Sequence, residues 1–310
     1  MTNFNHGVKS FGVPVLPGIG GNVYTGNVFF VDSGNVDGDD SPSAGTKQYP
    51  FTTIDYAVGK CTANNGDLVI VMPGHTETVI AAAGLDLDVA GITLIGVGNG
   101  SDRPTINFTT AVGADMDVDA ANITMYNFLF TGGFDALTGP IDVNAADFQL
   151  INFETRDVTG QATDFIVTDA NADRLLIDGW MHRGAAAAGA DTAITIVGGD
   201  DVIIRNFSIY GNFAVAAIEN VTTAAVRATI GGGDGYNYIW TANAADVCVT
   251  MVATATGFIG PNINAMLTDN AANITEAFVG AAMQFMQPIN ICNLAGESSM
   301  FTNITASTDA

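Results

Sequence analysis

The chain is poor in basic residues, in glutamate, in cysteine and in long apolar runs, and each shortage excludes something. Nine Lys and Arg stand against 32 Asp and Glu, a net charge of −23. Backbone binding to nucleic acid needs clustered cations that displace counterions, so no nucleic-acid partner is expected. Anionic membrane surfaces are disfavoured for the same reason. Hydrophobic residues reach 48%, yet no uninterrupted stretch has the length of a membrane span. Of the 32 acids only five are Glu and the other 27 are Asp. Asp, Asn and Gly form turns whereas Glu and Lys populate helix surfaces, so the composition predicts many turns and few exposed helices. The three cysteines, Cys61, Cys248 and Cys292, are far apart and show no metal-ligand spacing, which predicts buried or free thiols. The opening Met-Thr-Asn-Phe-Asn-His has no basic n-region before an apolar core, so an ordinary secretory signal is not expected.

What is present is an internal repeat. Asp117-Val-Asp-Ala-Ala-Asn122-Ile-Thr-Met-Tyr-Asn-Phe128 returns as Asp142-Val-Asn-Ala-Ala-Asp147-Phe-Gln-Leu-Ile-Asn-Phe153. Further copies centre on Asp173 and Asp201, and weaker ones on Ala225, Asp246 and Asn273. The steps from 122 through 147, 173, 201, 225, 246 and 273 are 25, 26, 28, 24, 21 and 27 residues. Each unit holds short β-rich runs around a small polar turn, and none contains a helix-length amphipathic stretch, which excludes βαβ architecture. A unit of this kind is one coil of a solenoid, so the sequence predicts an all-β, right-handed parallel β-helix. In this alignment Asn127, Asn152, Asp178 and Asn206 form one internal polar ladder. Beside it Phe128, Phe153 and Phe207 form an aromatic stack with Gly179 interrupting.

Four segments follow from the pattern: an arm at 1–25, an opening and capping segment at 26–75, the parallel β-helix at 76–280, and a C-terminal cap or inter-subunit segment at 281–310. In the second segment Thr52 or Thr53 can cap a short helix whose Ile54, Ala57 and Val58 face inwards and cover the first coil. The arm is punctuated by Gly and Pro and reads either as a frayed terminus or as a docking element. Phe4, Val8, Phe11, Val13, Val15 and Leu16 are its apolar anchors and favour docking.

Two resemblances rest on this region. The order strand, Asp/Gly-rich turn, Pro50-Phe-Thr-Thr-Ile54, short helix, Gly66-Asp-Leu-Val-Ile-Val-Met-Pro-Gly74 resembles the opening of pectate-lyase-like parallel β-helices. Met1-Thr-Asn-Phe-Asn-His-Gly-Val-Lys-Ser-Phe-Gly-Val-Pro-Val15, with Val28-Phe-Phe-Val-Asp32 and Lys60-Cys-Thr-Ala-Asn-Asn65, resembles tailed-bacteriophage virion proteins encoded among capsid genes. It covers about the first 75 residues; beyond them only the β-helical pattern is shared. The resemblance implies a structural protein on the outer surface of a phage particle.

Chemistry on this fold would need paired carboxylates beside a sugar groove, or carboxylates with an Arg or Lys base. Glu154, Asp157, Asp178, His182 and Arg183 are the candidates on adjacent coils, but acids in solenoid turns are usually solvated, and no catalytic residue is assigned. Asn35-Val-Asp37-Gly38-Asp39-Asp40 is EF-hand-like at its start, but Ala44 stands where the closing Glu belongs, so it reads first as a turn. No metal and no cofactor are expected. The reading is therefore a capsid decoration subunit without enzymatic activity. Its expected partners are copies of itself, as a homotrimer, and the major capsid protein or another virion protein. The alternative is a tail spike or fibre that binds or depolymerises host-surface polysaccharide.

Overall fold

The computed structural model describes residues 9–10, 13–14, 26–157, 162–184, 190–242, 247–267, 277–293 and 298–299. It is almost wholly β: a parallel β-solenoid of about eight turns with a repeat of roughly 26 residues. Each coil contributes to three ladders, called here faces one, two and three; the first two join into one 18-stranded sheet and the third is an 8-stranded sheet. In one coil these are Thr93–Gly96, Thr105–Phe108 and Met116–Val118; in the coil above, Thr124–Tyr126, Leu129–Gly132 and Leu137–Val143. In Gln149–Asp157 and Leu176–Arg183 faces one and two run together as one bent strand.

Two left-handed residues five apart bracket face one on successive coils: Asn122 and Asn127, Asp147 and Asn152, Arg174 and Gly179, Asp201 and Asn206. Asn tolerates positive φ and Gly accepts it freely, which explains why turn formers recur at a fixed spacing. Inward side chains fill the rod end to end; Leu94, Met125, Leu150, Ile177, Ile204 and Ile230 form one fully covered column. The anticipated helix is Ile54–Val58. The Thr53 hydroxyl accepts from the Tyr56 amide at 3.4 Å, and Ile54, Ala57 and Val58 are wholly buried against the first coil.

Parallel pairing runs across the expected segment limits. Val28–Val31 already pairs in parallel with Leu68–Val71, so the sheets begin before residue 76. Met283–Phe285 and Ile289–Asn293 extend faces one and two beyond residue 280. Only then does Ser298–Ser299 turn antiparallel onto Ile291 and Cys292. Among the described residues no cysteine is in a disulfide.

Two features of the expected alignment are corrected. In the third copy the corner residue is Arg174 and not Asp173, because the left-handed pair must stay five residues apart and Gly179 is its second member. Asp178 therefore leaves the polar ladder: it pairs in register with Ile151 and Arg205, one position before the corner. The weak copies at Asp246 and Asn273 lie outside the described residues. The strands that follow them, Val249–Thr250 and Phe278–Val279, belong to face three, whereas Asn122 and Asp147 precede face one.

Candidate functional site

The polar corner is a structural device, buried at Asn127 and open to solvent at Asn152. The Asn127 side-chain amide donates to the carbonyls of Gly96 at 2.8 Å and Gly98 at 2.9 Å in the coil below. Asn152 donates to Asn127 at 3.4 Å, and Asn206 donates to Asp178 at 2.6 Å. Asp178 thus still bonds to the ladder residue above it although it does not occupy the ladder position; it also accepts from Arg205 Nε at 2.9 Å. The next position inward carries Phe128, Phe153 and Phe207, all buried, and Trp180 fills the rung assigned to Gly179 from sequence. The Trp180 indole N–H donates to Thr155 Oγ1 at 2.8 Å.

Of the five chemistry candidates, the structure brings Glu154, Asp157, His182 and Arg183 together on face two and leaves Asp178 on face one, just before the corner. Strand alternation points Glu154, Arg156, Met181 and Arg183 outwards, with Thr155 and His182 inwards. Arg156 and Arg183 are direct cross-strand partners. Like charges would repel there, but Glu154 lies between them, 2.6 Å from Arg156 Nε and 3.5 Å from Arg183 Nε. Arg103 Nη1 approaches the same carboxylate at 3.5 Å. His182 is packed among Trp180, Phe165 and Phe213, with Nδ1 2.8 Å from the Thr155 hydroxyl, and burial drives its pKa down to about 3. It is a neutral core residue under the groove floor. Burial pushes the Asp157 carboxyl up to about 7, partly offset by the Ala162 amide at 3.3 Å. It carries its proton through mildly acidic conditions.

Further along the same face lie side chains that the sequence reading did not assign. Tyr210 and Trp240 follow Arg183 in register, and Tyr238 follows Ser208. The Tyr210 and Trp240 rings meet at 87° with centroids 5.6 Å apart, while Trp240 stays 46% and Tyr238 50% exposed. A groove of about 720 Å³ runs over these rings to Asn264 and Asn290, and one of about 600 Å³ lies over Arg156, Asp157 and Arg183; Ser208 and Tyr210 line both. The signal was available: Ser208-Ile-Tyr210 and Tyr238-Ile-Trp240 alternate in phase with Met181-His-Arg183.

Face three is acidic. Asp86, Asp117 and Asp142 stack in register on three coils. Burial, then repulsion from Asp115, Asp142, Asp119 and Asp86, raises Asp117 to about 7, and Asp86 and Asp142 are raised too. Among the described residues no group of three or more His, Cys, Asp or Glu is arranged as metal ligands. At the Asp37–Asp40 turn, Asp40 accepts from the Thr52 amide at 2.8 Å and from the Thr53 hydroxyl at 2.8 Å, which ties the turn to the helix start.

Of the arm's anchors, Phe4, Val8, Phe11, Val15 and Leu16 lie outside the described residues. Val13 is in Val13–Pro14, which pairs antiparallel with Lys9–Ser10 in a separate two-stranded sheet.

The fold defines the class: the chain is a parallel β-solenoid. No protein-family model matches it, and no curated protein does. Among solved structures a rhamnogalacturonan lyase is remotely similar, at 13% identity over 78% of this chain and 74% of its own, with a TM-score of 0.38.

Proposed function

We propose that this protein is a structural subunit of a tailed-phage particle, a decoration protein attached to the capsid surface through its amino-terminal arm. The observation that carries the reading is the small sheet formed by Lys9–Ser10 and Val13–Pro14, which among the described strands pairs only within itself and leaves the solenoid sheets complete without it. An arm of this kind can order on a partner surface without unfolding the rod. Burying a few large apolar side chains there, at roughly 1.5–3 kcal/mol each, offsets the entropy lost in ordering. The solenoid suits a passive load-bearing role, because its coils are tied by inward packing and by side-chain bonds between rungs. As a subunit of this type the protein associates as a closed homotrimer and contacts the major capsid protein.

The test is co-sedimentation of the full chain, and of a chain lacking residues 1–25, with particles assembled from the major capsid protein. The full chain should decorate them. The shortened chain should keep its β circular dichroism and oligomeric state but stay in the supernatant. Decoration by the shortened chain, or failure of the full chain to bind, overturns the reading.

A further inference from the structure

We propose that face two carries a binding groove for an extended acidic glycan, with sugar rings stacked on Tyr210, Tyr238 and Trp240 and anionic substituents held by Arg156 and Arg183. This goes beyond attachment to a capsid, since it uses a side of the rod and not the arm.

The shape argues for a chain-like ligand. The two grooves share Ser208 and Tyr210 and form one open trough along the rod axis. From Arg156 through Arg183, Tyr210, Trp240 and Met266 to Cys292 the outward column climbs six successive strands. Five steps of about 4.8 Å give a track of roughly 24 Å, the span of a short oligosaccharide.

The lining argues for carbohydrate. Tyr210 and Trp240, at 87° to each other, make an angle bracket whose open faces suit the C–H face of a sugar ring. Asn290 donates to Asn264 at 2.7 Å, and the pair adds amide donors and acceptors for hydroxyl groups. An apolar cleft with few, well-placed polar groups is the usual make-up of a small-ligand site.

The charge argues for an acidic sugar. In a chain of net charge −23, the outward columns of face two from Met181 to Cys292 contain no carboxylate. At the groove's near end three arginines, Arg103, Arg156 and Arg183, surround Glu154, and the other acid there, Asp157, is raised to about 7, which leaves a local surplus of positive charge. Arg156 and Arg183 keep 45% and 64% of their side chains exposed, so both can still meet a ligand carboxylate. Distant acids are screened within about 8 Å at physiological salt, which leaves this local field in control.

Trp240 is a built-in reporter, because the chain's other tryptophan, Trp180, is wholly buried. The full chain is titrated with a mannuronate hexamer, a sialic acid oligomer and a sulfated hexamer, each followed by tryptophan fluorescence and calorimetry. At least one should shift the emission and release heat. Trp240→Ala should weaken that binding at least about tenfold, and Trp240→Phe should retain it. Arg183→Gln should weaken binding of the acidic hexamer and not of its carboxyl-reduced form. Removing residues 1–25 should change none of this, which separates failure of this proposal from failure of the capsid reading. No binding of any of the three at about 1 mM by protein with intact circular dichroism overturns the proposal. So does unchanged affinity in a folded Trp240→Ala protein, or tighter binding of a single-stranded oligonucleotide.

Discussion

The indole of Trp180 lies flat on the ring of Phe153 in the coil below, centroids 5.8 Å apart and planes 8° from parallel. Both side chains are buried, so they couple two coils through dispersion and through the exclusion of water. Replacing Phe153 by Ala leaves a void under the indole and should cost about 3–5 kcal/mol in denaturant unfolding. A loss below about 1 kcal/mol would place the ring in solvent and break the assigned register.

Asn127 combines two roles that separate by substitution. It holds φ at +66°, and its amide satisfies the Gly96 and Gly98 carbonyls. Asn127→Gly should cost only the hydrogen bonds, roughly 1–3 kcal/mol. Asn127→Ala should cost about 1–2 kcal/mol more, the penalty for a Cβ in the left-handed region. Equal losses in the two variants would show that the conformation at this corner is not under constraint.

Stability should fall as pH rises from the ordinary carboxylate value of 3.8 to about 7, unusual behaviour for a protein rich in solvated carboxylates. Asp117 and Asp157 are raised from 3.8 to about 7, chiefly by burial, so the folded state holds their protons more tightly than the unfolded chain does. Their contribution is complete below the unfolded value and is lost as pH rises through about 7. Asp147 and Asp201, lowered by hydrogen bonds from Arg174 and Arg227, act in the opposite sense, and their contribution is lost as pH drops below the ordinary carboxylate range. Urea midpoints measured from pH 3 to pH 9 should therefore peak on the acid side of neutrality. Asp117→Asn with Asp157→Asn should flatten the alkaline limb. A midpoint that climbs steadily to pH 8 contradicts the assignment.

The solenoid was legible because its cause is local and repeated: a left-handed turn former at each corner and alternating apolar residues between. The helix cap at Thr53 was legible for the same reason. The slip at Asp173 came from aligning residue types instead of conformations. Arg174 is an unexpected left-handed residue, and only its spacing of five from Gly179 reveals it. That slip hid Trp180 and placed Asp178 in the wrong column. The groove on face two is hard to read from sequence for a different reason. Arg156, Arg183, Tyr210 and Trp240 lie 27, 27 and 30 residues apart along the chain and become neighbours only once the pitch of every coil is known.

At the corner entering face one, Asp147 receives Arg174 at 2.6 and 2.8 Å, and Asp201 receives Arg227 at 2.7 Å twice over. Read up the rod, the column runs acid, base, acid, base. Such a rod faces an error that compact folds escape: every rung resembles the next, so a segment can seat one storey too high and still pair its backbone. Here a shift by a single storey would set Asp147 against Asp201 and Arg174 against Arg227. Alternation of sign thus acts as a parity check on storey number, written on the outside of the rod in the few cations the chain possesses.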